Sequence, residues 1–166
     1  MAELTALESK IGEVLGLAMA AQDATSKVDK LVEEEGEHDD LRATLQQMAK
    51  EAKETEERTT ELASELDGKK TAILEKARET KQEATEMMST YLGDDADALD
   101  GFEFLTMAEA GEVGHWSVVG TMNERARLEG LQELVDWMTP IQQRHFEQTL
   151  AGSAELAADE DPNEPA

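Results

Sequence analysis

Cysteine is absent from the 166-residue chain, which excludes both a disulfide framework and a thiolate metal site. Aromatic side chains are scarce, at 4%. With Ala, Glu, Leu, Lys and Thr dominant, that composition favours helices over sheets. No basic stretch with an apolar run behind it opens the sequence, and nothing approaches the ~18 consecutive apolar residues of a membrane span. A soluble, cytoplasmic chain is the expectation. Positive charge is the last shortage: 15 Lys and Arg stand against 39 Asp and Glu, a net charge of −24. Neutralising phosphates needs clustered Lys and Arg, so nucleic acid is excluded as a partner, and an anionic membrane surface is disfavoured on the same ground. Such a charge suits solubility, a saline setting or the attraction of cations.

What the chain does have is periodicity. Leu4, Leu7, Ile11, Val14, Ala18, Ala21, Thr25, Val28 and Val32 alternate spacings of three and four, the seam of a helical bundle. Thr5 and Glu8 are placed to form a capping box ahead of it. After "EEEGEHDD" a second seam runs through Leu41, Leu45, Met48, Ala52, Thr55, Thr59, Leu62 and Leu66. "DG" at 67 and 68 stops it, and a third follows through Ile73, Ala77, Thr80, Ala84, Met87 and Tyr91. Beyond "GDDADALDG", where Asp100 and Glu103 can cap the next segment, two more seams appear. The spacing predicts five helices at about 3–33, 38–66, 69–92, 101–121 and 124–153. Length allows one domain with a real core, taken as 1–153, with 154–166 an acidic tail of disordered composition.

Charge divides the chain unevenly. Residues 1–92 carry 12 basic and 22 acidic side chains, net −10, and residues 93–166 carry 3 and 17, net −14. All six aromatic residues lie between Tyr91 and Phe146, so the second part reads as the more specialised.

There, "AEAGEVGHWSVVG" (108–120) places polar residues in an otherwise apolar helix, beside two glycines that each cost it roughly 1 kcal/mol relative to alanine. The seam counted through it is Leu105, Ala108, Glu112, His115, Val119 and Met122. In the last helix it is Leu128, Leu131, Val135, Met138, Gln142, His145 and Thr149. Each helix thus turns a polar residue and an imidazole, three apart, toward the interior. A buried Glu112 must be paired, protonated or bound to something.

An inward Glu-x-x-His with a second such pair on a later helix resembles the ferritin-like superfamily of di-iron carboxylate bundles. "FLTMAEAGEVGHW" followed by "LQELVDWMTPIQQRHFEQTLAGSAELA" looks like the C-terminal helix pair of a small ferritin-like or rubrerythrin-like protein. The resemblance is strongest over 101–153 and architectural over 1–92, where the helix at 69–92 is long enough to serve as the crossover between two antiparallel pairs. It implies an all-α, antiparallel ferritin-like four-helix bundle with an additional crossover helix. It also implies iron oxidation or storage, or ferroxidase-like or peroxidase-like redox chemistry at a carboxylate–histidine site.

Departures from the family pattern are specific. Gln142 stands where the second pair has Glu, and the first two seams carry Thr25, Thr55 and Thr59 at mid-helix and no carboxylate. Gln22 and Asp23, and Glu54 and Glu57, lie one step off those seams. The candidate metal ligands are Glu112, His115 and His145, with Glu54 and Glu57, or Asp23, joining them. Two His and one Glu suit mononuclear iron, zinc or manganese as well as a di-iron pair.

Each feature also has a structural reading. Glu112–His145 or His115–Gln142 can form a buried network that fixes helix register. "TPIQ" can be a helix start, with Thr139 as N-cap, Pro140 at the first helical position and Gln142 completing a capping box. Close helix packing is the preferred explanation of Gly111 and Gly114, with room for a ligand as the other. Trp116 and Trp137 are expected to pack, and His38 lies too far along its helix to join the site. The acidic runs lack calcium-loop spacing, and no nucleophile–base pair, P-loop or dinucleotide fingerprint is present. Two function classes follow: a ferritin-like metalloprotein, or a metal-free helical interaction or scaffold protein that kept the fold and pairs with a second copy through its helical seams.

Overall fold

The computed structural model describes residues 2–36 and 38–164. These form five helices and, among the described residues, no strands: α1 (Ala6–Glu35), α2 (Asp39–Glu65), α3 (Lys70–Tyr91), α4 (Ala98–Ala126) and α5 (Glu129–Asp159). None is long and apolar enough to cross a membrane. The all-α expectation holds.

The predicted start and stop signals act largely as read. Thr5 and Glu8 close a reciprocal capping box on α1, satisfying backbone N–H groups that the helix itself cannot. Gly36 ends α1 in the left-handed region at φ 82°, where a Cβ would be strained. On α4 the box is Asp97 with Asp100, not Asp100 with Glu103, so the helix starts three residues earlier than predicted. It also runs on to Ala126, because nothing between 121 and 126 breaks it. The Asn123 side chain then closes the turn, its amide donating to the Leu128 carbonyl and its oxygen accepting from the Leu128 N–H.

α5 is continuous through Pro140; Thr139 is therefore not an N-cap, and its hydroxyl instead donates back to the Val135 carbonyl at 2.7 Å. Pro140 and Asp136 are exposed, so the Asp136 carbonyl that loses its intrahelical donor faces water. Met138 and Gln142, buried on either side, keep both halves of the helix packed. α5 also outlasts the predicted boundary at 153, and Leu156 joins the core at 4% exposure. Of the predicted tail, 154–159 is helix and the last two residues lie outside those described.

Contacts between helices fix their directions. α1 and α2 run antiparallel, joined by Asp29–Arg42 and Gln22–Glu56. α4 and α5 are likewise antiparallel, through Thr106–Ser153 and the Asn123 turn. α2 meets α5 through Thr55–Met138 and Glu51–His145, and α1 meets α4 through Gly101 against Val28. α3 carries the chain back along α1, so α2 and α4 point the same way. It lies close to α1 because Gly12 and Gly16 present no side chain to it: a Cβ on Gly16 would collide with the Ala77 carbonyl. The α1 and α2 seams are spent inside this bundle.

Its interior has two apolar clusters. One gathers Ile11, Leu15, Ile73, Trp116, Val119 and Leu131, and the other Val28, Val32, Leu45, Met48, Phe102 and Leu105. Trp116 is thus core, as expected, at 1% exposure.

Candidate functional site

Between these clusters lies a layer of buried polar side chains. α2 supplies Glu51, α4 supplies Glu109 and Glu112, and α5 supplies Gln142 and His145. Burying so many polar groups is costly unless they satisfy one another, and most do. His145 Nε2 lies 2.6 Å from Glu51 Oε2, and its Nδ1 faces Glu109 Oε2 at 3.6 Å. The Gln142 amide donates to Glu109 Oε2. Glu51 also accepts from Arg144 Nη2, at 2.7 Å to each oxygen, and from Gln47 at 2.8 Å.

These contacts govern protonation. Burial works against a charged His145, but the hydrogen bond and charge of Glu109, then those of Glu51, outweigh it and raise the imidazole above its ordinary value. Burial likewise opposes ionisation of Glu51, and the hydrogen bonds from His145, Gln47 and Arg144 overcome it, lowering that carboxyl. His145 is thus held between two carboxylates, hydrogen-bonded to Glu51 through Nε2 and facing Glu109 across 3.6 Å at Nδ1, and both favour its protonated form. Glu112 is different. It is 7% exposed and accepts no hydrogen bond among the described residues; burial and the neighbouring Glu109 push its carboxyl well above the ordinary range.

Besides Glu112, one polar atom of the layer lacks a partner. Gln142 Oε1 is buried without one. Gln142 also lines a small cavity of ≈ 10 Å³, with Glu109, Glu112 and His145 beside it and Ala18, Ala21 and Thr25 of α1 on another side. That is about the room for a single water or ion. The small α1 side chains create the space.

The predicted site residues divide. Glu112 and His145 do meet in this layer. His115 does not: it is half-exposed, with Nδ1 3.5 Å from Glu13 Oε2. The seam through 105, 112 and 119 can be continued in two phases, and bulk decides between them. The large Trp116 takes the interior, carrying Glu109 inward with it and His115 out. Glu54 pairs with Arg58 on the surface at 2.7 Å, and Glu57 is exposed. Asp23 pairs with Lys81 at 2.9 Å and Gln22 donates to Glu56. α2 does supply one carboxylate, Glu51. It sits three residues after Met48 and four before Thr55, a helical neighbour of both. Gln142 is a member of the layer rather than a helix cap. The close packing expected at Gly111 and Gly114 is absent: a Cβ at either would meet nothing within 4 Å.

Among the described residues, no group of three or more His, Asp or Glu side chains has the spacing of a ready metal cage. The donors nonetheless fit a divalent cation in kind. Two carboxyls, an amide oxygen without a donor and an imidazole border one ion-sized space, and such oxygen and nitrogen ligands suit iron, manganese or zinc. No protein-family description, curated protein or solved structure matches the chain.

Proposed function

We propose that the protein is a ferritin-like metal-binding bundle, with Glu109, Glu112, Gln142 and His145 holding a divalent cation in the central cavity and Glu51 orienting His145 from α2. The observation that carries this reading is the unpartnered Gln142 oxygen, with Gln142 and a Glu112 that accepts no hydrogen bond lining the same ion-sized space. Two antiparallel pairs linked by one long crossover are also the connectivity of ferritin-like bundles. Iron is the metal implied by the resemblance, with zinc or manganese as the other choices. A bound iron would supply oxidation or peroxide chemistry. The chain's own part is to surrender protons: His145 must lose its imidazolium proton and Glu112 its carboxyl proton to become ligands. Glu51, hydrogen-bonded at Nε2, keeps the imidazole oriented as that happens, which leaves Nδ1 as the nitrogen that would ligate.

A metal-free scaffold is the second reading, and one observation favours it. Both His145 nitrogens face carboxylates, so the charges of Glu51 and Glu109 are balanced by His145 and Arg144 without a cation. Elemental analysis after anaerobic addition of Fe(II), Mn(II) or Zn(II) separates the two. The metalloprotein binds at least one ion per chain, loses it in His145→Ala and Glu109→Ala, and keeps it in His115→Ala. Sub-stoichiometric metal in the wild type after each addition rejects it in favour of the scaffold.

A further inference from the structure

α3 packs tightly on α1 at Gly12 and Gly16 but barely touches α4. The space between α3 and α4 is a half-open groove of ≈ 550 Å³, within the range of small-molecule sites. Its floor is α1, with Leu17 and the small Ala20, Ala21 and Ala24, and Gly111 on the α4 wall leaves the backbone bare. One end is apolar, with Met88 and Phe104 inside and Met87 and Met107 at the rim, 51% and 41% exposed.

Polar groups occupy the middle and the opposite end, where Glu13, Lys76 and His115 lie. Glu112 reaches the groove as well as the cavity, and the Thr80 hydroxyl, on a side chain 8% exposed, has no hydrogen-bond partner. The ionisable lining is Glu13, Glu83, Glu109 and Glu112 against Lys76 and His115. Such a lining repels an anionic head and welcomes one that donates hydrogen bonds or carries positive charge.

We propose that this groove binds a small amphipathic amine, its apolar body lying between α3 and α4 toward Met88 and Phe104 and its nitrogen seated at Glu112 and Thr80. No metal is required. Buried apolar area supplies the attraction, and the carboxyls select the head group. The exposed methionines offer adaptable contacts to a ligand of no fixed shape.

The two glycines that face open space provide the test. Gly111 lines the groove and Gly114 does not, yet a Cβ at either meets nothing within 4 Å. Both Gly111→Leu and Gly114→Leu should therefore fold, each gaining helix propensity. Decylamine, decanol and decanoate would be titrated below their micelle-forming concentrations into the chelator-treated full chain, with calorimetry and methyl NMR of the methionines as readouts. Decylamine should bind more tightly than decanol, and decanoate least. Its binding should move Met87, Met88 and Met107 but not the core Met48. Gly111→Leu should weaken it by about tenfold or more, and Gly114→Leu should leave it unchanged. Equal binding to both variants, or decanoate matching decylamine, overturns the proposal. So does a concentration-dependent dimer that occupies the groove in place of ligand. Metal content is not read in this experiment, so it fails separately from the metal-binding proposal.

Discussion

Around Trp116, the side chains of Ile11, Leu15, Val119 and Leu131 are buried with no polar atom to satisfy. In the layer next to it, Glu51, Glu109, Gln142 and His145 are buried to a similar degree but need hydrogen-bond partners: His145 bonds Glu51, Gln142 bonds Glu109, and Arg144 and Gln47 complete Glu51. α4 and α5 contribute to both regions. The apolar cluster holds the helices together by burial, which is additive and forgiving of detail. The polar layer exchanges water for internal partners at little net gain, so its presence calls for a reason other than stability.

The comparison can be broken most forcefully from the apolar side. Trp116→Ala should cost ~4 kcal/mol in denaturant unfolding, through lost burial and the cavity left behind. Glu51→Ala should cost about 3 kcal/mol, because it strands the imidazolium and frees Arg144. Replacing Glu51, Glu109, Gln142 and His145 together by leucine should leave stability within ~2 kcal/mol of the wild type or raise it, although it removes every candidate role of the layer. A quadruple variant that loses as much as the sum of the single changes contradicts the view that the layer is dispensable for folding.

A subtler effect concerns pH. The folded-state values of Glu112 and His145 are both raised, so the folded chain holds protons that the unfolded chain releases. Stability from His145 is full below its ordinary value of 6.5 and is lost as pH rises through the raised one. Glu112 lowers stability progressively as pH climbs from its ordinary 4.5 toward its raised value. Glu51 is the reverse case, losing its contribution as pH falls below 4.5 toward its lowered value. Glu112→Gln should therefore flatten the decline above pH 5 and be more stable than the wild type at pH 8 in denaturant unfolding. An unchanged pH profile would show that Glu112 is ionised in the folded chain.

How much of this was legible in the sequence varies by region. The seams of the first two helices, the Thr5–Glu8 box and the stop at Gly68 followed directly from spacing, since those segments alternate threes and fours without ambiguity. α4 was harder. Two phases pass through Leu105, Glu112 and Val119, and only the bulk of Phe102 and Trp116 chooses between them, so Glu109 was missed and His115 wrongly turned inward. Glu51 was hidden for a related reason: an inward face is wider than one seam, and a residue beside it can be buried as fully as one on it. Pro140 resembled a helix start because local rules favour it there, whereas packing on both sides carries α5 through. The glycines of α1 and α4 look alike in sequence. The first pair lets α3 approach α1 and the second faces open space, a distinction that depends on where the neighbouring helix lies.

The most direct measurement is an anomalous difference map from crystals of the full chain soaked in Mn(II), Fe(II) or Zn(II). The central cavity, bordered by Glu109, Glu112, Gln142 and His145, should hold the strongest peak, and that peak should vanish in crystals of His145→Ala. Peaks confined to the acidic surface, with the cavity empty and the Glu51–His145–Glu109 contacts unbroken, would contradict a metal centre in the polar layer.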